Sequence, residues 1–501
     1  MIRPAFTRAG RGRVPGARRR GRALAGGTAL AAAALAAAAC SGTSGTASPA
    51  GTASPASTAS PAVAPSPVGT ASGSGANWPE YDANPARTGV ATGVPAAGAL
   101  TTAWNARLDG AVYGQPLVVG GEVIAATEND SVYAINRVTG KTIWRTNVGT
   151  PVSRPALHGC GNIFPLGITG TPVYDAGNGL VYAVAEVTGY HHLLVALDAA
   201  TGAVKLHRDL DTPTAANQPD YNQQRPALAI DQGRVYASFG GLSGDCGAYQ
   251  GGVVSAPLTG DGPLASWHTP TSREGAVWGP GGPVVDRSGD LWVSNGNGAA
   301  ESSADPYDGS DSVTELSPAL KRLAFFAPST WATDNAHDKD LGSTQPVIAA
   351  GNTVFVVGKG GVGYLLDGAK LGGIGGQVAE QDICKAFGAA AVSGSTVYEP
   401  CRAGPLTAVE VSAATKTIKV LWRGPSGTDG SPVVGGGAVW VTKYAQSGSG
   451  GGTLYELNQA TGQAEHQITI SQGMPHFSSL SLSGNMAYVS TLTGFTAISG
   501  A

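Results

Sequence analysis

The sequence predicts an all-β chain folded as an eight-bladed β-propeller of four-stranded antiparallel blades, its last blade closed by an N-terminal strand. Three observations carry this. Of 501 residues, 42% are hydrophobic and 75 are Gly, while only 13% are charged, a composition for short strands and tight turns. Eight paired-strand segments recur at intervals of roughly 40 to 60 residues, the spacing of four-stranded blades. Several copies of one hairpin follow them. A length-based prior of two or three domains fails for such repeats, which spread one core over many similar units.

The hairpins VYAINRVTGKTIW (Val132 to Trp144), LVALDAATGAVKL (Leu194 to Leu206) and LYELNQATGQAEH (Leu454 to His466) share one grammar. An apolar strand is followed by Asp or Asn, two residues, Thr-Gly and a second strand. The Asx side chain accepts a turn N–H and Gly supplies the positive φ that the turn needs. TAVEVSAATKTIKVLW and VTELSPALKRLAFF are looser copies. Each is read as the outer hairpin of a blade.

Upstream of them stand PLVVGGEVIAAT, TPVYDAGNGLVYAVA, PALAIDQGRVYASF, GPVVDRSGDLWVSN, QPVIAAGNTVFVVG, AAAVSGSTVYEP, SPVVGGGAVWVT and SLSLSGNMAYVS. The last has room for three strands only. The unpartnered segment from Thr101 to Leu108 supplies the fourth, closing the ring and removing an exposed sheet edge.

The chain opens with eight arginines between Arg3 and Arg22, an Ala/Leu run from Ala23 to Ala39, and then Cys40. Residues 1–39 read as a signal peptide and Cys40 as the lipidated cysteine of a bacterial lipobox; ordinary cleavage with secretion is the alternative. Residues 40–77, rich in Ser, Thr, Pro and Ala with TASPA three times over, lack the large apolar side chains a core needs and read as a tether. Residues 78–501 are the propeller. The expected location is extracytoplasmic, on the cell membrane.

Without the leader arginines the 31 Lys+Arg fall to 23 against 34 Asp+Glu. An acidic surface without a basic cluster excludes nucleic acid as a partner. No CxxC, Ser-His-Asp order, phosphate loop or zinc spacing is present. Four cysteines besides Cys40 make an even number in an exported chain, and two bridges are expected, Cys160–Cys246 and Cys384–Cys401, the latter flanking one strand of the sixth blade.

The hairpins, the opening WPEYDANPARTG, and the motifs GITGTPVYD, EGAVWGPGGPVVD, NGNG, DKDLGS and GKGGVGYLLD resemble the pyrroloquinoline-quinone (PQQ) dehydrogenase repeats over nearly everything from Trp78 onward. The resemblance implies PQQ on the propeller axis, a calcium ion polarising it and an Asp as base. It places Asn297 as the calcium-binding amide, Asp340, or else Asp338, as the carboxylate, and Lys359 as the cation touching the quinone.

The departures count against that chemistry. The family's adjacent-cysteine wall is missing, its calcium-binding Glu falls near Cys246 with Asp245 the nearest substitute, and its wall Trp falls on an aliphatic position near Val284, with Trp278 close by. The reading is therefore a binding or scaffold propeller that is not an enzyme and holds no cofactor, taking a protein, glycan or small molecule on its loop face. It is expected to be a monomer held to the membrane by its lipid anchor. Arg154, Arg225 and Trp278 are the expected ligand contacts, with Lys359. The alternative is a PQQ- and calcium-dependent dehydrogenase with Asp340 as base and with Asn297 and Asp340 on the metal. Asn297, Asp340 and Lys359 must then share one pocket on the axis.

Overall fold

The computed structural model describes residues 76–445 and 450–500. The signal peptide, Cys40 and nearly all of the tether lie outside them. Eight antiparallel sheets follow one another along the chain: 117–147, 173–209, 222–268, 284–327, 347–382, 391–426, 433–470, and 480–499 completed by Thr101–Arg107. They are numbered blades 1 to 8. All eight expected segments form the two inner strands of a blade. Thr101–Arg107 pairs with Gly494–Ser499, from Thr101 opposite Ser499 to Arg107 opposite Gly494. The ring is closed as expected, by a strand from the start of the domain.

The hairpin grammar works through the side chain it predicts. Asn136 Oδ1 accepts from the N–H of Val138 and Thr139, Asp198 Oδ1 from Thr201, and Asn458 Oδ1 from Ala460 and Thr461. The glycines that follow, Gly140, Gly202 and Gly462, have φ of 69°, 71° and 71°.

Every blade is sandwiched between two others, so its middle strands are covered on both faces. Leu180–Val187 buries six consecutive residues, which is why these strands read as continuous apolar runs. The outer strands diverge from their neighbours, and Thr142–Asn147 buries only Trp144 fully. Apolar clusters fill the gaps between blades: Leu117, Ile124, Val181 and Val195 join blades 1 and 2, and Val354, Leu366, Val313 and Phe326 join blades 4 and 5.

One segment crosses the middle of the ring. Trp78 pairs with Val118 of blade 1, Pro79 O accepts from Tyr174 N of blade 2, Pro85 O from Val285 N of blade 4 and Thr88 O from Val392 N of blade 6, while Val90 bridges Val434 of blade 7. Arg87 is 0% exposed at its centre. It donates to Glu80 at 2.8 Å, to Tyr81 O at 2.9 Å, and to Leu228 O at 2.7 Å and Pro283 O at 3.3 Å, ahead of the inner strands of blades 3 and 4. The motif WPEYDANPARTG is thus a plug across the axis.

Other elements were not expected. A short helix, Trp331–Ala336, follows blade 4, and Gly373–Ile374 from the blade 5 excursion pairs in parallel with Phe326 and Ala327 of blade 4. Both expected disulfides are present, with Cα separations of 6.4 Å for Cys160–Cys246 and 5.6 Å for Cys384–Cys401. The second brackets both inner strands of blade 6, Ala391–Ser393 and Thr396–Glu399, rather than one.

Candidate functional site: the axial funnel

Loops leading into the inner strands meet around the axis. Arg225 stands just before the inner strand Ala229–Asp231 of blade 3, while Trp278 precedes blade 4, Asp338 and Asp340 blade 5, Phe387 blade 6, and His476 and Phe477 blade 8. Asn297 and Lys359 come from loops after the second strands of blades 4 and 5. Together they line two cavities of about 340 and 450 Å³ that share Arg225, Ser243, Trp278, Asp338 and Lys359.

Asn297, Asp340 and Lys359 therefore share one pocket. The glycines of their motifs explain the closeness: a Cβ on Gly342 would stand 2.6 Å from Gly296 N, and one on Gly358 would stand 2.4 Å from Asp340 O. Lys359 Nζ lies 2.6 Å from Asp338 Oδ1 and 2.7 Å from Asp340 Oδ2. Burial disfavours its ammonium, but Asp340 and Asp338 outweigh that and hold it above its ordinary pKa. Burial pushes Asp340 up, against the pull of Lys359. Trp278 Nε1 donates to Asp340 Oδ1 at 3.3 Å, and the Lys359 ammonium sits 5.2 Å from the Trp278 ring centroid.

Calcium fits this set poorly. Asn297 Oδ1 is buried without a partner and could ligate, its Nδ2 donating to Asp338 at 2.8 Å. Both carboxylates, however, already hold the Lys359 ammonium, and Asp245 accepts the Tyr249 hydroxyl at 2.6 Å. A hard cation needs six to eight oxygens. Here an internal cation occupies the carboxylates such an ion would use.

The other half of the funnel is aromatic and cationic. Phe387 and Phe477 lie nearly parallel, 8° apart, with centroids at 6.3 Å; Trp278 is 6.1 Å from Phe387 and 6.2 Å from Phe477. These are separations of rings in direct contact, so they form one packed layer rather than two walls of a slot. Arg225 lies 4.6 Å from the Phe477 centroid and Arg402 lies 4.5 Å from that of Phe387. Burial lowers Arg225 to about 10, and burial with Arg225 and Arg402 drives His476 down to about 3. His476 is thus a neutral imidazole in contact with Arg225. Among the described residues lining the larger cavity, Arg225, Lys359, Lys385 and Arg402 face one carboxylate, Asp338.

Of the expected ligand contacts, Arg225, Trp278 and Lys359 meet here and Arg154 does not. Arg154 is exposed, 4.6 Å from the Phe164 centroid, in the long excursion before blade 2 that carries Cys160. Being upstream of a blade is insufficient; the side chains that reach the axis stand a few residues before an inner strand or, like Asn297 and Lys359, a few residues after the second one. That rule finds Phe387 and Phe477, which sequence reasoning missed. Cys246 is beside the funnel, bridged to Cys160, and the Ser243–Asp245 stretch next to it lines the smaller cavity. His337 binds its own helix through Thr333 O, and His191 and His192 face opposite sides, exposed and buried.

No curated protein matches the sequence. Residues 90–293 match the family model described as outer membrane protein assembly factor BamB. Quinohemoprotein alcohol dehydrogenase from Comamonas testosteroni superposes with a TM-score of 0.64 at 16% identity, over 84% of this chain and 80% of that one. BamB from Moraxella catarrhalis gives 0.52 at 15% identity, over 80% and 97%. A europium-containing methanol dehydrogenase gives 0.58 at 16%, over 83% and 89%. With eight repeated blades around one ring the chain is an eight-bladed β-propeller, similar over residues 90–293 to that family model and in fold to the quinoprotein dehydrogenases and BamB.

Proposed function

We propose that this protein is an exported, membrane-anchored propeller that binds an anionic small molecule in its axial funnel without oxidising it. The observation that carries this is the charge lining the larger cavity, where Arg225, Lys359, Lys385 and Arg402 stand against Asp338, itself paired with Lys359, while Asp245, Glu274 and Asp340 lie on the smaller cavity's side. On a chain that is acidic once its leader is removed, such a concentration of positive charge draws anions to the axis. Phe387, Phe477 and Trp278 offer apolar edges beside the guanidinium groups, which suits a carboxylate or phosphate on an unsaturated frame. The arginine leader, the lipobox around Cys40 and two disulfides support export and anchoring.

A second reading, PQQ-dependent alcohol oxidation, is favoured by the convergence of Asn297, Asp340 and Lys359 in one pocket. The packed aromatic layer and the lysine-filled carboxylates weigh against it.

Calorimetric titration of the full chain with PQQ, citrate and pyrophosphate, each with and without excess calcium, separates the two. The binding reading expects calcium-independent, salt-sensitive affinity for at least one anion, weakened about tenfold or more in Arg225→Ala and Arg402→Ala. Binding of PQQ only with calcium, joined to alcohol-dependent reduction of an artificial electron acceptor, would establish the dehydrogenase instead. Silence toward all three anions would remove the anion site.

A further inference from the structure

A separate cavity of about 260 Å³ lies between blades 4 and 5, behind the short helix Trp331–Ala336. The loop at Asp340 and Leu341 lies between it and the funnel: Asp340 lines the funnel and Asp311 lines this cavity. Its mouth is exposed at Thr330 and Glu380, and its depth is lined by buried Asp311 and Tyr364.

Asp311 is 0% exposed. Its Oδ1 accepts the Leu341 N–H at 2.8 Å, while its Oδ2 is buried with no hydrogen-bond partner. A buried carboxyl oxygen left in this state costs free energy whether the group is ionised or protonated, because neither form has a counterpart. Asp334 also lines the cavity, receiving the Thr330 hydroxyl at 2.5 Å, and Glu380 takes one amide donor from Gln377 at 2.7 Å. Lys339, exposed at the rim, is the one cation among the described lining residues. The cavity is therefore acidic, with its least satisfied acceptor at the bottom.

The arrangement distinguishes a metal ion from an organic cation. Acidic and imidazole groups converge in threes, with ligand atoms within 4.8 Å of one another, elsewhere among the described residues: at His191, Asp209 and Asp211, and at Asp286, Asp290 and Glu315. Asp311, Asp334 and Glu380 are not such a group: they are buried, half-buried and exposed in turn, spread from the depth of the cavity to its mouth. That spacing suits a molecule with two donors, and the volume lies below the roughly 300–1,000 Å³ of drug-sized sites. We propose that this cavity binds a small aliphatic amine, one ammonium group donating to Asp311 Oδ2 and a second donor reaching Glu380 at the mouth.

The test is calorimetric titration of the full chain with 1,4-diaminobutane, and separately with calcium chloride. Saturable diamine binding is expected, weakened at least tenfold in Asp311→Asn and several-fold in Glu380→Gln. Circular dichroism and a thermal melt check the fold of Asp311→Asn. Glu380 is exposed, so Glu380→Gln carries the test should the buried variant not fold. No saturable diamine binding overturns the proposal, as does binding indifferent to both substitutions. Calcium binding abolished by Asp311→Asn in a protein that ignores the diamine would make the cavity a metal site and overturn it equally.

Discussion

Trp144, in the outer strand of blade 1, lays its indole against Gly202 in the hairpin turn of blade 2, and its Nε1 donates to Ala199 O at 2.8 Å. A Cβ on Gly202 would stand 2.5 Å from Trp144 Cε3. The same contact joins blades 6 and 7 through Trp422, which meets Gly462 and donates to Gln459 O at 3.0 Å. Trp104 of the closing strand meets Gly140 of blade 1. The repeated glycine therefore serves its own turn and gives the preceding blade's tryptophan a seat.

Gly202→Ala is expected to destabilise the fold twice over. A left-handed alanine costs about 1–2 kcal/mol, and displacing the indole costs about 1–3 kcal/mol more. Gly179, with φ 73° and nothing within 4 Å of its would-be Cβ, isolates the first effect. Urea unfolding of Gly202→Ala beside Gly179→Ala checks this; equal losses would show that the indole contact contributes nothing.

How much of this was legible follows from the distance over which each feature acts. The turn at Asn136 to Gly140 is local chemistry, so five residues suffice to read it. The closing strand from Thr101 was found because an all-β ring with one unpaired strand leaves a single place for it. Trp144 was read only as the end of a hairpin, since its seat is in the next blade. The funnel was half found: motif likeness marked Asn297, Asp340 and Lys359, while Phe387 and Phe477 lie in short loops whose meaning depends on eight loops converging. The plug is legible only as a likeness, because Arg87 acquires its partners in blades 3 and 4 from more than a hundred residues away.

Arg87→Met should cost about 3–5 kcal/mol, because Glu80 then remains buried beside an apolar side chain. Adding Glu80→Gln is expected to recover part of the loss. Thermal melts of the single and double variants check the sign of the recovery.

His192 sets a pH dependence. Burial disfavours its imidazolium, but Asp211 at 2.7 Å and Glu186 at 3.7 Å outweigh burial and raise its pKa from 6.5 to about 10. The native state thus binds this proton more tightly than the unfolded chain. Its contribution is complete below about pH 6.5 and is lost as pH rises through 10. Stability measured by urea unfolding from pH 6 to 10.5 should fall by a few kcal/mol more than in His192→Gln.

Lys359→Ala should convert a lysine-bridged pair of carboxylates into a divalent-cation site, since it frees Asp338 and Asp340 beside the unpartnered oxygen of Asn297. Calcium affinity is expected to rise at least tenfold over the unsubstituted protein by calorimetry. An unchanged affinity would mean that the lysine was not what kept calcium out.

The segment from Trp78 to Val90 gives the ring a floor. A propeller with an open bore is a pipe, through which a solute could enter at one face and depart at the other; with buried Tyr81 and Arg87 laid across the middle of the ring, this one is a cup. Whatever settles against Arg225 and Arg402 must leave past the same lip it crossed on arrival, so a macromolecule resting on that lip would also govern how long the cup stays filled.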